Sequence, residues 1–568
     1  SQGGKILIRS GTYNASAPIT IGFGYWDIEG EGKVEINAPY FNADLSQYSS
    51  LPSDYYLDVT LPPGPFLKLK KLTLVLSGGS PSSFLANGGL PAYNAPQFLL
   101  PQVESGTFVA EELNIIQTLT DTSADIFTVT RFHNVVVRDS KFINKNFWYN
   151  FSQAGCFGFM AEDNDNMVVD NVASISWCAG FNIYSDQPNG NYSFRNIFAM
   201  SVTNNNGVNA GPIAFYPTGS LEYGNIVFEN VMVVGIGDGS GAPTAGGSGL
   251  VSIMMSRIGP ANLVLRNIAG SQLYSQYPVP VVQIFANAGF GNHKLENIES
   301  NPFTFYRGDG TQVNTNTTPT LLGIQLANQS WTTTVKASNL RTTFYSGTAN
   351  YPLILVGFNG NGPSGNNVGQ FEIDIENVIA GALFTSGTPP SPYLIQLEQQ
   401  YPSTPGQITI PQGSRIVISG IGTGKRRYIL SPELIPALFS AANSNTVNLI
   451  QLSTFSAGGL YMYYDNSSPS IPANPPASGT VYQNQNPYDI DIFIPVTLSP
   501  SSSASATATL QVGPSSSSLE TVDSVTAPAG STSGQVYVLK ARVPAGWYFE
   551  LTLSNASAST ATVLPAFD

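Results

Sequence analysis

The densest acidic stretch of the chain is the string AEDNDN, which holds Glu162, Asp163 and Asp165. Carboxylates at alternating spacing are the oxygen ligands a Ca²⁺ ion takes. The stretch lacks the central glycine and the closing glutamate of an EF-hand loop, so a solvated corner loop is expected, with Ca²⁺ binding as the alternative. His133 and His293 are the two histidines and lie far apart, each in a strand-turn phrase, which disfavours histidine acid–base chemistry. The two cysteines sit in matching frames, Cys156 in GCFGF and Cys178 in WCAGF. With no histidine nearby and only two sulfurs, neither a Cys–His nucleophile nor a zinc site is supported. Aromatic clusters at Trp148 and Tyr149, and at Tyr274 and Tyr277, could stack on sugars or cover a flank or subunit interface. Arg307-Gly308-Asp309 matches an adhesion tripeptide but reads as a glycine-rich turn. Asn-X-Ser/Thr triplets at Asn14, Asn150, Asn191, Asn316, Asn328, Asn466 and Asn555 are glycosylation acceptors wherever the chain is exported and they are exposed.

Composition limits what could position such groups. The chain has 568 residues, too many for one ordinary core unless the fold grows by repetition. Only 10% of residues are charged, against roughly 25% in an average globular protein. Gly (55), Pro (40) and aromatics (11%) are abundant, which points to a β-rich, turn-rich chain with a hydroxyl and amide surface. The net charge of −13 argues against a nucleic-acid partner, and the one basic cluster, Lys425-Arg426-Arg427, is too short to reverse that. No apolar run of about 18 residues exists to span a membrane. No leader is visible, and Ser1 is expected to follow a processed start.

A phrase of alternating apolar residues ending in Asn recurs between about residues 134 and 380, as in NMVVDNVAS, YSFRNIFAM, IVFENVMVV, LVLRNIAGS, HKLENIESN and FEIDIENVIAG. The asparagines are Asn171, Asn196, Asn230, Asn267, Asn297 and Asn377; Asp139 fits one phrase earlier, and Asn339 fits with a one-residue irregularity. A second phrase of short apolar strands, such as GFNIYS, GPIAFYP and VVQIFANAG, interleaves with it. Short strands ended by Asn turn corners rather than forming hairpins, because Asn tolerates the left-handed region. If every coil turns at the same place, the amides stack into a ladder. The fold expected is an all-β, right-handed parallel β-helix of roughly ten to twelve coils, a rod on the order of 50 Å long. Cys156 and Cys178 then mark the one nearly minimal coil, facing the same way on adjacent coils, close enough for a disulfide.

Stacking also decides which acids could work together. A glycosidase needs two carboxylates ~5–10 Å apart, and Asp186, Glu229, Glu296 and Glu376 are the candidates. Asp170, Arg195, Glu229, Arg266, Glu296 and Glu376 hold one phrase position, so they are expected to form a salt-bridged outer column instead. No catalytic residue is assigned.

The opening, GGKILIRSGTYNASAPITI followed by WDIEGEGKVEI, resembles the first coils of the pectate-lyase-like right-handed β-helix family at Gly3, Gly4, Gly11, Thr12, Tyr13, Ile28, Gly30 and Gly32. The resemblance covers about residues 1 to 410. It implies fold far more than function. The "NTD", "DD" and "GHG" motifs of polygalacturonase-like members do not occur here, nor does the carboxylate and Arg pattern of a pectate lyase. Three regions are expected: 1–415 the β-helix, 416–479 a connector, and 480–568 an antiparallel β-sandwich. The connector would hold a short helix at 431–442, with Ser431 as N-cap and Pro432 at its first position, and a Pro/Ser-rich linker at 466–479.

The opening coils and the sandwich both look like parts of viral fibres. That likeness implies an extracellular virion-surface protein: a spike, turret or attachment protein binding host-surface glycans or other virion proteins. It would be a homo-oligomer, trimeric or, at a vertex, pentameric. Two other classes stay open: a secreted polysaccharide lyase or glycoside hydrolase, and a cellular surface-layer or adhesin component. No cofactor is implied beyond Ca²⁺ at the acidic stretch.

Overall fold

The computed structural model describes residues 3–45, 65–79, 82–88, 106–119, 124–146, 157–162, 164–185, 191–203, 211–217, 225–237, 249–254, 261–273, 279–286, 291–306, 310–315, 320–327, 332–342, 353–359, 368–380, 395–401, 411, 414–423, 450–454, 471–484, 489–544 and 546–565. The chain divides into two compact units, Ser1–Arg427 with Glu433–Tyr461, and Tyr428–Pro432 with Met462–Asp568.

The first unit is a right-handed parallel β-helix. A 14-stranded parallel sheet and a 12-stranded parallel sheet share it, and successive strands of the chain alternate between them. The 12 strands of the short sheet agree with the ten to twelve coils expected, and the long sheet has corners that no Asn marks. In the strands Phe66–Leu76 and Thr107–Gln117 the corner residues are Lys71 and Glu112, at φ 53° and 52°. The sheet also runs past residue 415, through Arg415–Thr423 and Ile450–Thr454, into the segment expected to be a connector. The helix expected at 431–442 lies outside the described residues, as does the first part of the linker, 466–470.

From Phe66–Leu76 to Phe371–Ala380 each strand of the long sheet bends at one left-handed residue. Asp139, Asn171, Asn196, Asn230, Asn267, Asn297, Asn339 and Asn377 all have φ between 50° and 57°. At this corner an L side chain meets a steric cost of about 1–2 kcal/mol, least for Asn and Asp. Asn339 is in register with Asn297, since Glu296 pairs with Ser338 and Ile298 with Leu340, so the irregularity expected there is absent. The step from Phe157 to Ala179 is 22 residues, but so is the step from Gly3 to Tyr25: two coils, not one, are minimal.

Inside the coils the alternating residues face a continuous core. Phe41, Phe84, Phe127, Phe159 and Phe181 occupy one column of the short sheet. Their ring centroids are 4.7, 4.8, 5.2 and 5.2 Å apart in sequence order. Stacked rings at strand spacing combine burial with favourable offset contacts, and so tie adjacent coils in register.

The second unit is an antiparallel β-sandwich. One sheet holds the strands Thr480–Gln483, Tyr548–Ser554, Ala506–Ser515 and Ser518–Ala527. In the other, Ile490–Leu498 pairs with Gln535–Val543 on one side and with Ala556–Ala558 and Thr562–Pro565 on the other. Both sheets contribute to one core, with Ile490, Ile492, Ile494, Leu510, Leu539, Phe549 and Leu551 buried in it.

Candidate functional site

The outer face of the long sheet is built by repetition. At the corner, each Asn donates its amide to the side-chain oxygen of the coil below. Asn230 to Asn196 is 3.1 Å, Asn267 to Asn230 is 2.9 Å, Asn297 to Asn267 is 2.8 Å, Asn339 to Asn297 is 3.0 Å, and Asn377 to Asn339 is 3.2 Å. Asn171 donates to Asp139 at 2.6 Å. Between these two runs the ladder is diverted, for Asn196 donates to Asp170 rather than to Asn171, at 2.8 Å.

A second ladder stands at the strand starts, and sequence reading missed it. Asn166 donates to Asn134 (3.5 Å), Asn225 to Asn191 (3.2 Å), Asn262 to Asn225 (3.2 Å) and Asn292 to Asn262 (3.3 Å). The signal was present as an Asn five residues before each corner Asn from Asn171 to Asn297, but the Asn content of the chain hides it. Asn191, a glycosylation candidate, is one of its members. Asn14 is another candidate with a stacked amide, accepting from Asn37 at 2.8 Å. The Asn555 side chain donates to the Ser505 carbonyl at 2.9 Å. Asn150, Asn316, Asn328 and Asn466 lie outside the described residues.

Between the ladders runs the charged column, longer than expected. In register it reads Glu29, Lys70, Glu111, Arg138, Asp170, Arg195, Glu229, Arg266 and Glu296, alternating in sign at every coil. Ion pairs join Lys70 to Glu29 (3.6 Å) and Glu111 (3.8 Å), Arg195 to Glu229 (3.4 Å), and Arg266 to Glu229 (3.4 Å) and Glu296 (2.7 Å). Ser338 separates Glu376 from this run. Lys294 and Arg266, bonded to Glu296, hold its carboxyl below the usual range. Glu296 is thus an anionic member of an ion-pair column, unsuited to donate a proton, and Glu229 is paired to Arg195 and Arg266 in the same column.

The short sheet carries a carboxylate of opposite character. Asp125 begins the strand Asp125–Thr130 and is half-buried. Burial pushes its carboxyl up to about 6, with the Glu162 carboxylate adding to the rise; bonds from the Phe157 amide and the Thr128 hydroxyl oppose it. Those bonds measure 3.2 and 3.5 Å. A carboxyl that changes charge near pH 6 can act as a general acid. Nothing in the local sequence SADIF marks it, because the burial comes from coils above and below.

The acidic stretch is largely occupied with structure. Asp165 meets His133 Nδ1 at 2.6 Å. Asn164 accepts from the Phe132 amide at 3.0 Å and donates to the Val129 carbonyl at 3.1 Å, clamping two stacked corners. Asp163 lies outside the described residues, and among those described no three His, Cys, Asp or Glu side chains gather as metal ligands. His293 is buried. Cys178 is fully buried and disulfide-bonded; Cys156, the one other cysteine of the sequence, lies outside the described residues, as do Trp148, Tyr149, Tyr274, Tyr277 and Asp186. Phe159 pairs with Phe181, the register expected from the two cysteine frames. Among the described residues no helix is long and apolar enough to cross a membrane.

No family model matches the chain, and no curated protein matches it. Among solved structures it is similar to the gp54 tailspike of Acinetobacter baumannii bacteriophage AP22, in complex with A. baumannii capsular saccharide. The identity is 11% and the TM-score 0.35, over 99% of this chain and 91% of that one.

Proposed function

We propose that the chain is a virion-surface rod, a spike, turret or attachment protein that stands outside the particle and binds host-surface glycans or other virion proteins. The observation that carries this reading is the outer face of the long sheet. Two amide ladders and a column of alternating charges run from coil to coil, so the exterior of the rod is braced along its length. Such a face favours a stiff support over a catalytic groove, because its carboxylates are spent on neighbouring cations. In this reading the rod assembles with copies of itself, as a trimer or, at a vertex, a pentamer, and the sandwich is a terminal module.

Gold-labelled antibody against the chain, imaged on purified particles, tests the placement: label confined to projecting features supports it, and label on cell envelopes with none on particles sinks it. A glycan array probed with the full chain tests the binding.

A second reading, a secreted polysaccharide lyase or glycoside hydrolase, is favoured by Asp125 with Glu162 close enough to act on it. Incubation with a broad panel of polysaccharides separates the two: depolymerisation that Asp125→Asn abolishes would establish the enzyme.

A further inference from the structure

One coil departs from the parallel pattern. Between the strands Gly291–Ser300 and Leu322–Ala327 the chain folds into an antiparallel hairpin, Thr304–Tyr306 with Gln312–Asn314. Its two faces differ sharply. Phe305 and Val313 point to one side and join Phe303, Met200, Val234, Ile236, Leu273, Trp177 and Phe198 in an apolar cluster on the flank of the rod. Thr315 ties the base, accepting from the Phe303 amide at 2.6 Å. The hairpin is thus held down by a core of its own.

The other face carries Thr304, Tyr306, Gln312 and Asn314, all exposed. Tyr306 is 67% exposed, more than any other large apolar or aromatic side chain among the described residues. Beside it the polar groups are fixed by one another, since the Asn314 side-chain oxygen accepts from the Thr304 hydroxyl (3.0 Å) and from the Gln312 amide (3.1 Å). That arrangement turns the Asn314 amide N–H groups and the Gln312 carbonyl outward, a donor and an acceptor next to an open aromatic ring. No charged residue stands on these two strands.

We infer that this hairpin face is a binding site for a neutral saccharide, with Tyr306 stacking on a sugar ring and Asn314 and Gln312 bonding its hydroxyls. An aromatic ring offers a large apolar surface at low conformational cost. Paired amides supply both hydrogen-bond senses that a hydroxyl needs. The four side chains of this face carry no charge, so the contacts they offer suit a neutral sugar. The inference rests on the glycan-binding part of the proposed function and names where that binding occurs.

The test uses the full chain on an array of neutral and anionic oligosaccharides, followed by calorimetric titration with the best-bound oligosaccharide. Tyr306→Ala and Asn314→Ala should each weaken binding about fivefold or more, and Tyr306→Phe should stay within about twofold. All three should melt with the wild type, since these side chains are exposed. If the chain binds a glycan and Tyr306→Ala leaves the affinity unchanged, the site is elsewhere and only this inference falls. A best-bound oligosaccharide that is anionic overturns the assignment of a neutral ligand. Binding to no printed glycan removes both this site and the glycan-binding part of the proposed function.

Discussion

Asp125 offers the sharpest test of how this fold controls charge. Its folded carboxyl titrates at about 6, against an ordinary 3.8. The folded state therefore disfavours the ionised form. Below about pH 3 the carboxyl is protonated in both states and contributes nothing to the difference between them. As pH rises from about 3 to 6 the unfolded chain ionises first, and stability is lost. At ~1.4 kcal/mol per pH unit the full effect is about 3 kcal/mol, and partial exposure of the side chain brings the expectation to about 2–3 kcal/mol. Asp125→Asn keeps the shape and the acceptor for the Phe157 amide while removing the charge. The variant should exceed the wild type by only about 0.5 kcal/mol at pH 4 and by about 2–3 kcal/mol at pH 7.5, measured by urea unfolding at intervals between. The opposite trend of Glu296, whose lowered value adds stability as pH rises through the carboxylate range, is common to both proteins and cancels. An Asn advantage that is equal at pH 4 and pH 7.5, or a variant weaker at pH 7.5, would show that the Asp125 carboxyl is not destabilised by burial.

Other expectations follow from the stacked columns. Phe127 is fully buried against Phe84, Phe142 and Phe159, so Phe127→Ala should cost about 4–5 kcal/mol in urea unfolding and Phe127→Leu under about 2. Asn267 donates to Asn230, accepts from Asn297 and sits at φ 56°. Asn267→Ala should therefore cost about 2–4 kcal/mol, and Asn267→Gly should cost less, since glycine avoids the corner strain. Arg266→Glu would place three acids in consecutive coils and should lower the melting temperature. High salt should shrink that loss, while Arg266→Lys stays near wild type. Alkylation of the unreduced, denatured chain should leave Cys156 and Cys178 unmodified by mass spectrometry, with two adducts appearing after reduction.

What the sequence by itself determined was the repeat. Identical phrases stacked in one direction must bring like positions together, so Asn171 to Asn377 were readable as corners and Arg195, Glu229, Arg266 and Glu296 as one column. The reason is local, since each phrase encodes its own strand, bend and inward face within about ten residues. What only the tertiary structure decided depends on which coil lies above which. Lys71 and Glu112 take the left-handed corner without the residue type that announces it, held there by strands on both sides. The column continues through Glu29, Lys70, Glu111 and Arg138 because coil lengths of very different size still close in register. Asp125 acquires its character from burial beneath segments remote in sequence. The hairpin at Thr304–Asn314 looks like an ordinary loop until the flank it covers is built from residues as early in the chain as Trp177. Local pattern sets the coil; the surroundings of each side chain come from neighbours that the chain reaches only after a full turn.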